Sequence, residues 1–301
     1  MSKVHVVIPA RYASSRFPGK VLAPLCGKPM IQHVYERASA SGADEVFIAT
    51  DEPKVFDAVT KFGGKCVMTS AHHQSGTDRI FEAVNSLEEK PEIVINVQGD
   101  EPLIPASVIN ELIKVMQDNP DLPMATVAVK LDREYINDPN KVKVIFNKEH
   151  RAIYFSRAPI PFLREGGTAA QAYLHWGIYA YRFEALKRFV SLPCGTLENC
   201  EKLEQLRVLE DGMPIYVLLS DLQSVGVDTP EDLEEAEKKM KELLRTKVKD
   251  LLEVTDRVLL DYKYTDDVSY RENAGCGIDT VNAFLKYLQE KRTKFLKDKK
   301  S

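Results

Sequence analysis

Residues 4–20 read VHVVIPARYASSRFPGK, in which a run of apolar, mostly β-branched residues passes directly into a loop rich in cations. The run 4–8 predicts a buried strand, because β-branched residues favour extended backbone and a strand covered on both faces is apolar throughout. A loop that follows the first strand of a parallel sheet lies at the carboxyl edge of that sheet, where α/β proteins bind their ligands. This stretch therefore predicts an α/β fold with a ligand site beside residues 9–20.

The alternation of strands and helices continues through the first half of the chain. Short β-rich runs predict further strands, at residues 45–49, 65–68 and 92–97. The stretches between the strands, and one after them, carry apolar residues at helical spacing and predict helices, at residues 30–40, 53–62, 78–87 and 105–117. Strands that alternate with helices form a sheet wrapped by crossover helices, so we predict a three-layer α/β/α architecture.

The chain changes character from about residue 141. Two strand-like runs, 141–146 and 151–155, flank a turn-rich tetrad at 147–150, which predicts a β-hairpin. The other elements expected here are strands at 173–181 and 214–219, a compact helix at 197–211 and a helix that opens at 229–232 with Thr229 as its N-cap. We interpret this middle part as an excursion that covers one edge of the sheet.

The last part of the chain differs in charge from the rest. Residues 245–301 carry 13 Lys and Arg against 10 Asp and Glu, whereas the whole chain has a net charge of −4. This shift predicts a domain of residues 1–244 followed by a helical C-terminal extension of residues 245–301. Within the extension, an amphipathic helix is expected over residues 280–291, with an apolar stripe of Val281, Phe284, Leu285 and Leu288.

Composition excludes several classes of protein. With 41 Lys and Arg against 45 Asp and Glu, the chain is no polycation, so no nucleic-acid partner is expected. Its apolar runs are too short to span a membrane, so no membrane partner is expected either. Its 5 cysteines are odd in number and scattered, which disfavours a disulfide framework. A reducing cytoplasm is the expected location.

The loop after the first strand has the composition of a polyphosphate site. Arg11, Arg16 and Lys20 stand close together with no acidic neighbour, and small residues between them expose backbone amides. Cations and free amides are the groups that bind phosphate oxygens. The alternative is a solvated surface loop, which is usually of mixed charge. The sequence favours the phosphate site, although neither a Walker loop nor a G-x-G-x-x-G pattern is present.

Two aspartates are candidate magnesium ligands. Asp100 follows the fourth predicted strand and a glycine, and Asp228 lies where a short strand gives way to a helix. Both are expected at the ligand edge of the sheet, where Mg²⁺ could bridge a carboxylate to phosphate oxygens. The alternative for each is a turn or capping aspartate that bonds to nearby backbone.

A third candidate segment, Ser75-Gly76-Thr77-Asp78-Arg79, opens the helix after the third strand. The free amides of a helix start, with Ser75 and Arg79, could bond a base or a phosphate. The alternative is an ordinary helix cap made by Thr77 or Asp78. The residues alone do not separate these two interpretations.

These segments resemble the 3-deoxy-manno-octulosonate cytidylyltransferases, or CMP-Kdo synthetases. The resemblance covers about residues 3–243 in the family's order, and the stretches that carry it are IPARYASSRFPGK at 8–20, GKPMIQHVYERA at 27–38, SGTDRI at 75–80, NVQGDEPLI at 96–104, YFSRAPIPF at 154–162, HWGIYAYR at 175–182, LEQLRVLE at 203–210 and VDTPEDL at 227–233. It implies a nucleotidyltransferase-like, Rossmann-like mixed sheet with a β-hairpin excursion. It further implies a cytoplasmic homodimer that makes CMP-Kdo from CTP and Kdo for lipopolysaccharide.

The resemblance also implies a role for each matched residue. The CTP phosphates would be held by Arg11, Ser14, Arg16 and Lys20, of which Arg11 and Lys20 would be catalytic together with the two aspartates. The cytidine would be read by Ser75, Gly76 and Arg79, with Gln98 also on the nucleotide. Asp100 and Asp228 would bind Mg²⁺. The sugar acid would be held by Arg157, His175 and Gln205, with Arg157 on its carboxylate and His175 as a positioner rather than a base.

Three residues depart from the family's pattern. Val21 stands where a proline is frequent, Cys26 lies in the following turn, and Trp176 replaces a more typical small or aliphatic residue. None of them is a matched ligand position. Alternatives to Kdo as substrate are another 2-keto sugar acid, 8-amino-Kdo or sialic acid. A non-catalytic sugar-nucleotide sensor is a further alternative, but such a protein would be expected to lose loop cations or metal ligands, and all are present.

Overall fold

A computed structural model describes residues 2–12, 16–73, 75–168, 170–222 and 224–254 of the chain. The chain divides into two units, residues 1–240 and 241–301. Within the described residues the strands are β1 (Val4–Ala10), β2 (Pro24–Leu25), β3 (Lys28–Pro29), β4 (Glu45–Thr50), β5 (Cys66–Met68), β6 (Ile93–Asn96), β7 (Met124–Leu131), β8 (Lys143–Phe146), β9 (Ala152–Ser156), β10 (Ala172–Arg182) and β11 (Ile215–Ser220). The helices are α1 (Met30–Ser39), α2 (Pro53–Lys61), α3 (Gly76–Asn85), α4 (Ala106–Asp118), α5 (Phe183–Ser191), α6 (Thr196–Glu201), α7 (Gln205–Glu210) and α8 (Pro230–Val254).

The central sheet is mixed, with strand order β11-β7-β10-β6-β1-β4-β5. β1 pairs in parallel with β4 and with β6, and β4 pairs in parallel with β5, which confirms the parallel half predicted from the strand–helix alternation. β10 runs antiparallel to both β6 and β7, and β11 is parallel to β7. The carboxyl ends of β1 and β6 are neighbours, so the loops that follow them share one edge of the sheet.

Helices cover both faces of this sheet, which confirms the three-layer prediction. Alternate residues of β1 point to opposite faces: Val6 and Ile8 belong to one buried cluster, with α1, α2 and α4, while Val7 belongs to a second, with α3, α5 and α7. Each such fully buried side chain stabilises the fold by ~1.5–3 kcal/mol before entropy costs. The continuous burial of β1 thus fixes the strand from which the basic loop departs.

The middle of the chain is placed differently from the prediction. The hairpin is confirmed, since β8 and β9 pair antiparallel. However, β10 lies inside the sheet between β6 and β7, so the interpretation of this part as a cover for one edge is wrong. The reason is β7, a strand that was not predicted. β10 pairs with β7 as well as with β6, and the hairpin joins the sheet because β8 pairs with β10.

The single helix predicted over 197–211 is also wrong. The structure has two short helices, α6 and α7, separated by Lys202, whose backbone is left-handed with φ 53°. The break lets Leu203 and Leu206 both pack in the core, at 6% and 0% exposure. A straight helix would not turn both segments onto the sheet. Helix α5 was not predicted either, although its buried Leu186 and Phe189 hold it against the same face.

The C-terminal predictions are tested only in part of their length. Helix α8 begins at Pro230 as expected, with Thr229 Oγ1 accepting from the Asp232 backbone N–H at 3.3 Å. The helix continues through residues 244–245, where the predicted domain boundary lies. The apolar stripe 281–288 lies outside the described residues. No helix in the described part of the chain is long and apolar enough to cross a membrane, and the cysteines described there form no disulfide.

Candidate active site

The basic loop leaves β1 and returns to the sheet edge through a turn at Gly19. The Gly19 backbone N–H donates to the Tyr12 carbonyl at 2.9 Å, and Gly19 has a φ of 71°. A left-handed backbone of this kind favours glycine, and a Cβ here would also lie 3.1 Å from the Tyr12 ring. Closure of the loop at Gly19 places Lys20 in a short 3₁₀ turn facing the sheet edge. Ser14, one of the predicted phosphate ligands, lies outside the described residues.

A cavity of about 400 Å³ opens at this edge of the sheet. Pro9, Val21 and Gly99 form part of its wall. The predicted site residues that line it are Arg11, Arg16, Lys20, Gly76, Gln98, Asp100 and Asp228. Segments that lie far apart in the sequence are therefore brought to one pocket, which holds both cations and carboxylates.

Gly99 sets how closely the loop after β6 approaches the end of β1. A Cβ on Gly99 would lie 2.9 Å from the Pro9 carbonyl oxygen, a contact that real side chains do not make. The loop can therefore lie directly on β1 only because residue 99 has no side chain. This approach brings Asp100 within hydrogen-bond distance of Lys20.

Lys20 lies between the two aspartates predicted to bind metal. Its Nζ donates to Asp100 Oδ2 at 2.6 Å, to Asp228 Oδ1 at 2.9 Å and to the Val227 carbonyl at 3.0 Å. Burial alone would lower the pKa of Lys20, but the charge and hydrogen bonds of the aspartates outweigh burial and raise it. Arg16 Nη2 adds a second cation, 2.9 Å from Asp228 Oδ2. Although burial opposes the shift, the hydrogen bonds and charge of Lys20 and Arg16 lower the pKa of Asp228.

The donor set around Lys20 fits a magnesium ion that is shared with a nucleotide. The described residues hold no group of three or more His, Cys, Asp and Glu able to enclose a metal. Mg²⁺ is commonly held by one or two carboxylates, with substrate phosphates and water completing its shell. Asp100 and Asp228 supply those two carboxylates, side by side and aimed at one cation.

Glu101, beside Asp100, was not singled out by the sequence patterns. Its Oε1 accepts from the Trp176 indole Nε1 at 3.2 Å, while its Oε2 is buried and has no partner among the described residues. Burial, with a contribution from the negative charge of Asp100, raises the pKa of Glu101 to about 7. Trp176 lies in β10, 75 residues away in sequence, so no local pattern signals this contact.

In the segment that opens α3, one residue caps the helix and another lines the cavity. The Ser75 hydroxyl accepts from the Asp78 backbone N–H at 3.0 Å, so Ser75 itself is the helix N-cap. Gly76 lines the cavity. The Arg79 side chain is only 1% exposed; it donates to Thr69 Oγ1 at 2.5 Å and pairs with Asp51 Oδ1 at 3.1 Å. Arg79 is therefore held by Thr69 and Asp51, and it is not among the residues that line the cavity.

The predicted sugar-binding residues lie around β10 and α7. His175 is half-buried, its Nε2 lies 3.0 Å from Thr126 Oγ1, and burial lowers its pKa to about 3. An imidazole with so low a pKa is a weak base. Gln205 is 4% exposed, and its buried Nε2 has no partner among the described residues. Gln98 donates to the Gly177 carbonyl at 3.1 Å.

Arg157 is held by main-chain carbonyls. Its Nε donates to the Glu201 carbonyl at 2.8 Å and its Nη1 to the Pro139 carbonyl at 2.9 Å. The Arg157 backbone N–H donates to Glu201 Oε2 at 2.9 Å. These bonds fasten the end of β9 to helix α6 and use only some of the five N–H donors of the guanidinium.

A buried polar network beside Gln205 escaped the sequence patterns. Thr77 Oγ1 donates to Glu204 Oε2 at 2.9 Å, and Glu204 Oε1 is buried with no partner among the described residues. Burial raises the pKa of Glu204. The available signal was its place in the matched stretch at 203–210, next to Gln205. Glu204 and Gln205 together offer an unpaired acceptor and an unpaired donor to a polyhydroxylated ligand.

A mixed α/β sheet with a cationic loop after its first strand and paired aspartates at the same edge defines a nucleotidyltransferase-like protein. The family model described as cytidylyltransferase matches residues 5–215. The chain is 52% identical over 236 residues to the 3-deoxy-manno-octulosonate cytidylyltransferase of Syntrophus aciditrophicus, which covers 77% of this chain and 95% of that protein. It is 51% identical over 234 residues to the 8-amino-3,8-dideoxy-manno-octulosonate cytidylyltransferase of Shewanella halifaxensis, covering 76% of this chain and 95% of that protein.

A solved structure of a CMP:2-keto-3-deoxy-manno-octonic acid synthetase complexed with CTP superposes with a TM-score of 0.77 at 45% identity, covering 80% of this chain and all of that one. On these matches, the chain belongs to the cytidylyltransferase family.

Proposed function

We propose that this chain transfers a cytidylyl group from CTP to the sugar acid Kdo, giving CMP-Kdo and pyrophosphate. The observation that carries the proposal is the contact of Lys20 with both Asp100 and Asp228 in the cavity below the basic loop. It unites a phosphate-binding cation with two magnesium-type ligands at one point. The relatives named above, and the synthetase structure solved with CTP, support cytidine as the nucleoside.

The reaction joins two anions, so its main obstacle is electrostatic. The anomeric hydroxyl oxygen of the sugar attacks the α-phosphorus of CTP, a new P–O bond forms, and the bond to the β-phosphate oxygen breaks. The electron pair of that bond leaves with pyrophosphate, and the hydroxyl proton passes to solvent. Repulsion between like charges at about 4 Å amounts to ~4 kcal/mol near a protein surface. Cations fixed in place before the reaction offset it most effectively.

The described residues divide this work between them. Arg11 and Arg16 line the cavity and would hold the β- and γ-phosphates as negative charge accumulates on the leaving group. Asp100 and Asp228 would hold Mg²⁺ through carboxylate oxygens. The ion, when bound, would neutralise phosphate charge and lower the pKa of the attacking hydroxyl. Lys20 would then turn from the aspartates to the nucleotide phosphates, since the metal replaces it as their counter-charge.

The residues assigned to the sugar acid, Arg157, His175 and Gln205, are not among those that line the cavity. His175, neutral because its pKa is low, and Gln205, with an unpaired donor, would bond to sugar hydroxyls. Arg157 would bind the carboxylate through the N–H donors of its guanidinium that no carbonyl uses. An 8-amino derivative of the same sugar is a second candidate substrate, because a relative named for it is 51% identical to this chain.

We further propose a homodimer in the cytoplasm that supplies CMP-Kdo for lipopolysaccharide. Support for the location comes from the scattered, odd set of 5 cysteines, a pattern usual in reducing compartments.

A substrate panel tests the proposed function. Purified full-length protein is incubated with Mg²⁺, each nucleoside triphosphate in turn and either Kdo, 8-amino-Kdo or sialic acid, and released pyrophosphate is measured. We expect release with CTP and Kdo, and none when the metal is chelated. Release with 8-amino-Kdo alone would replace the substrate by the second candidate. No release with any sugar acid, from folded protein, would contradict the proposal.

A further inference from the structure

Trp176 is a core residue that also makes a polar contact. It is the only tryptophan among the 301 residues of the chain, and its side chain lies in β10 with 7% exposure. The indole ring packs in the cluster on the α4 face, while its Nε1 donates to Glu101 Oε1 at 3.2 Å. An aliphatic residue would fill the same space but would offer no donor. The contact thus links the centre of the sheet to the residue that follows Asp100.

The backbone around Trp176 is held firmly. The pairing of β10 with β7 shifts register between Trp176 and Tyr179, which marks a β-bulge. Its carbonyls are satisfied from both sides, by Gln98 Nε2 on Gly177 at 3.1 Å and by Thr126 Oγ1 on Ile178 at 2.8 Å. Bulges of this kind re-aim side chains next to functional sites. The indole N–H is consequently a fixed donor.

Glu101 carries this contact to the segment that presents Asp228. A Cβ on Gly226 would lie 3.4 Å from Glu101 Oε1, so residues 224–228 pass directly over the carboxylate. The same segment is tied to its neighbour by the Val227 backbone N–H, which donates to the Asp100 carbonyl at 2.9 Å. The Glu101 carboxylate, which the Trp176 indole holds, therefore packs against the segment that carries Asp228.

We propose that Trp176 and Glu101 act as a positioning pair, which sets segment 224–228 so that the Asp228 carboxylate lies beside that of Asp100. The inference rests on the proposed role of these aspartates as magnesium ligands. Neither Trp176 nor Glu101 touches the reacting groups in this account. Loss of the pair loosens the two carboxylates, so the enzyme needs more Mg²⁺, while turnover at saturating metal is retained.

Magnesium titrations of three variants test the pair. W176F removes the donor and keeps an aromatic ring, E101Q removes the charge and keeps the shape, and the third variant combines both. A hydrogen bond contributes ~1 kcal/mol, so each single change is expected to raise the Mg²⁺ concentration for half-maximal turnover about fivefold. Saturated turnover should stay within about twofold. Because both residues act through one contact, the double variant should need no more Mg²⁺ for half-maximal turnover than the more affected single variant does.

A matched control separates positioning from core packing. Ile178 is fully buried in the same cluster, so I178V lowers the melting temperature without changing the Mg²⁺ dependence. Fluorescence gives a readout besides activity, because all tryptophan emission comes from Trp176. Addition of Mg²⁺ with CTP is expected to change this emission in the wild type and not in E101Q.

A half-maximal Mg²⁺ concentration within twofold of wild type in both W176F and E101Q would overturn the inference, as would equal fluorescence responses in wild type and E101Q. E101Q keeps the test decisive if W176F does not fold. The variants D100N and D228N test the proposed function separately. If both keep wild-type activity, the two aspartates are not metal ligands. If both are inactive while W176F and E101Q are unaffected, only the positioning pair is rejected.

Discussion

Replacement of Lys20 by methionine should tighten magnesium binding to the nucleotide-free protein while it reduces turnover. Methionine keeps an unbranched side chain of similar reach but has no charge. In the wild type the Lys20 ammonium lies 2.6 Å from Asp100 Oδ2 and 2.9 Å from Asp228 Oδ1, so a metal ion must displace it. K20M leaves the two carboxylates without this competitor, and also leaves the phosphates without one of their cations.

The exposure of the groups sets the expected magnitude. The side chain of Lys20 is 12% exposed, and those of Asp100 and Asp228 are 31% and 48% exposed. Solvent therefore screens both contacts, and ion pairs of this kind contribute ~0.2–1 kcal/mol each. A total of ~0.4–2 kcal/mol corresponds to roughly 2- to 30-fold tighter Mg²⁺ binding. Turnover should fall roughly a hundredfold or more, the usual result of removing one preorganised electrostatic group.

Calorimetric titration with Mg²⁺ in the absence of nucleotide measures the first effect, and pyrophosphate release measures the second. K20R is the matched control: it keeps the charge, so its Mg²⁺ affinity should remain near that of the wild type. Equal or weaker Mg²⁺ binding by folded K20M would refute the view that Lys20 and the metal compete for the same two carboxylates.

The other predictions concern the aspartates, the sugar pocket, acid stability and the C-terminus. D100N and D228N each should reduce pyrophosphate release roughly a hundredfold or more without unfolding, and near wild-type release by either variant would contradict its assignment as a metal ligand. R157K should raise the KM for the sugar and change that for CTP little, because lysine loses the planar donor pair; the opposite pattern would move Arg157 to the nucleotide. Burial depresses the pKa of His175 to about 3, so the stability that comes from its neutral form is complete above pH 6.5 and is lost as the pH falls towards 3. Between pH 7 and pH 5 the free energy of unfolding, measured with denaturant, should therefore fall by up to ~2 kcal/mol more in wild type than in H175Q. An equal fall in the two proteins would contradict this. Deletion of residues 250–301 should lower the melting temperature or weaken the oligomer while turnover stays within a few-fold, and a stable but inactive truncation would make the extension part of the active site.

Local patterns predicted those parts of the fold and site that depend on contiguous residues. The run 4–8 is apolar except for His5 because β1 is covered on both faces. The cations after it face a shared sheet edge because β1 and β6 are parallel. These two physical rules were sufficient to bring Arg11, Lys20 and Asp100 to one cavity. The same rules do not describe an antiparallel strand inserted between others, so the position of β10 could not be read from its own residues.

Contacts between distant residues account for the rest. Arg157 has the side chain expected for a carboxylate ligand, yet its guanidinium is used by the carbonyls of Pro139 and Glu201, 18 and 44 residues away. Trp176 stood out only as an unusual residue, and its partner Glu101 could not be deduced without the sheet pairing. The helix break at Lys202 reflects packing of Leu203 and Leu206, which overrides a helical pattern that is continuous in sequence.

The contact between Gly99 and Pro9 has a consequence for exchanging parts among proteins of this fold. Because the two loops touch where residue 99 has only a hydrogen, the distance between the basic loop and the loop that carries Asp100 depends on both loops together. A chimera that takes residues 9–20 from one enzyme and residues 96–104 from another combines two loops that were not shaped to fit each other. Successful grafts will be those that move both loops together, with the glycine kept opposite the carbonyl of residue 9.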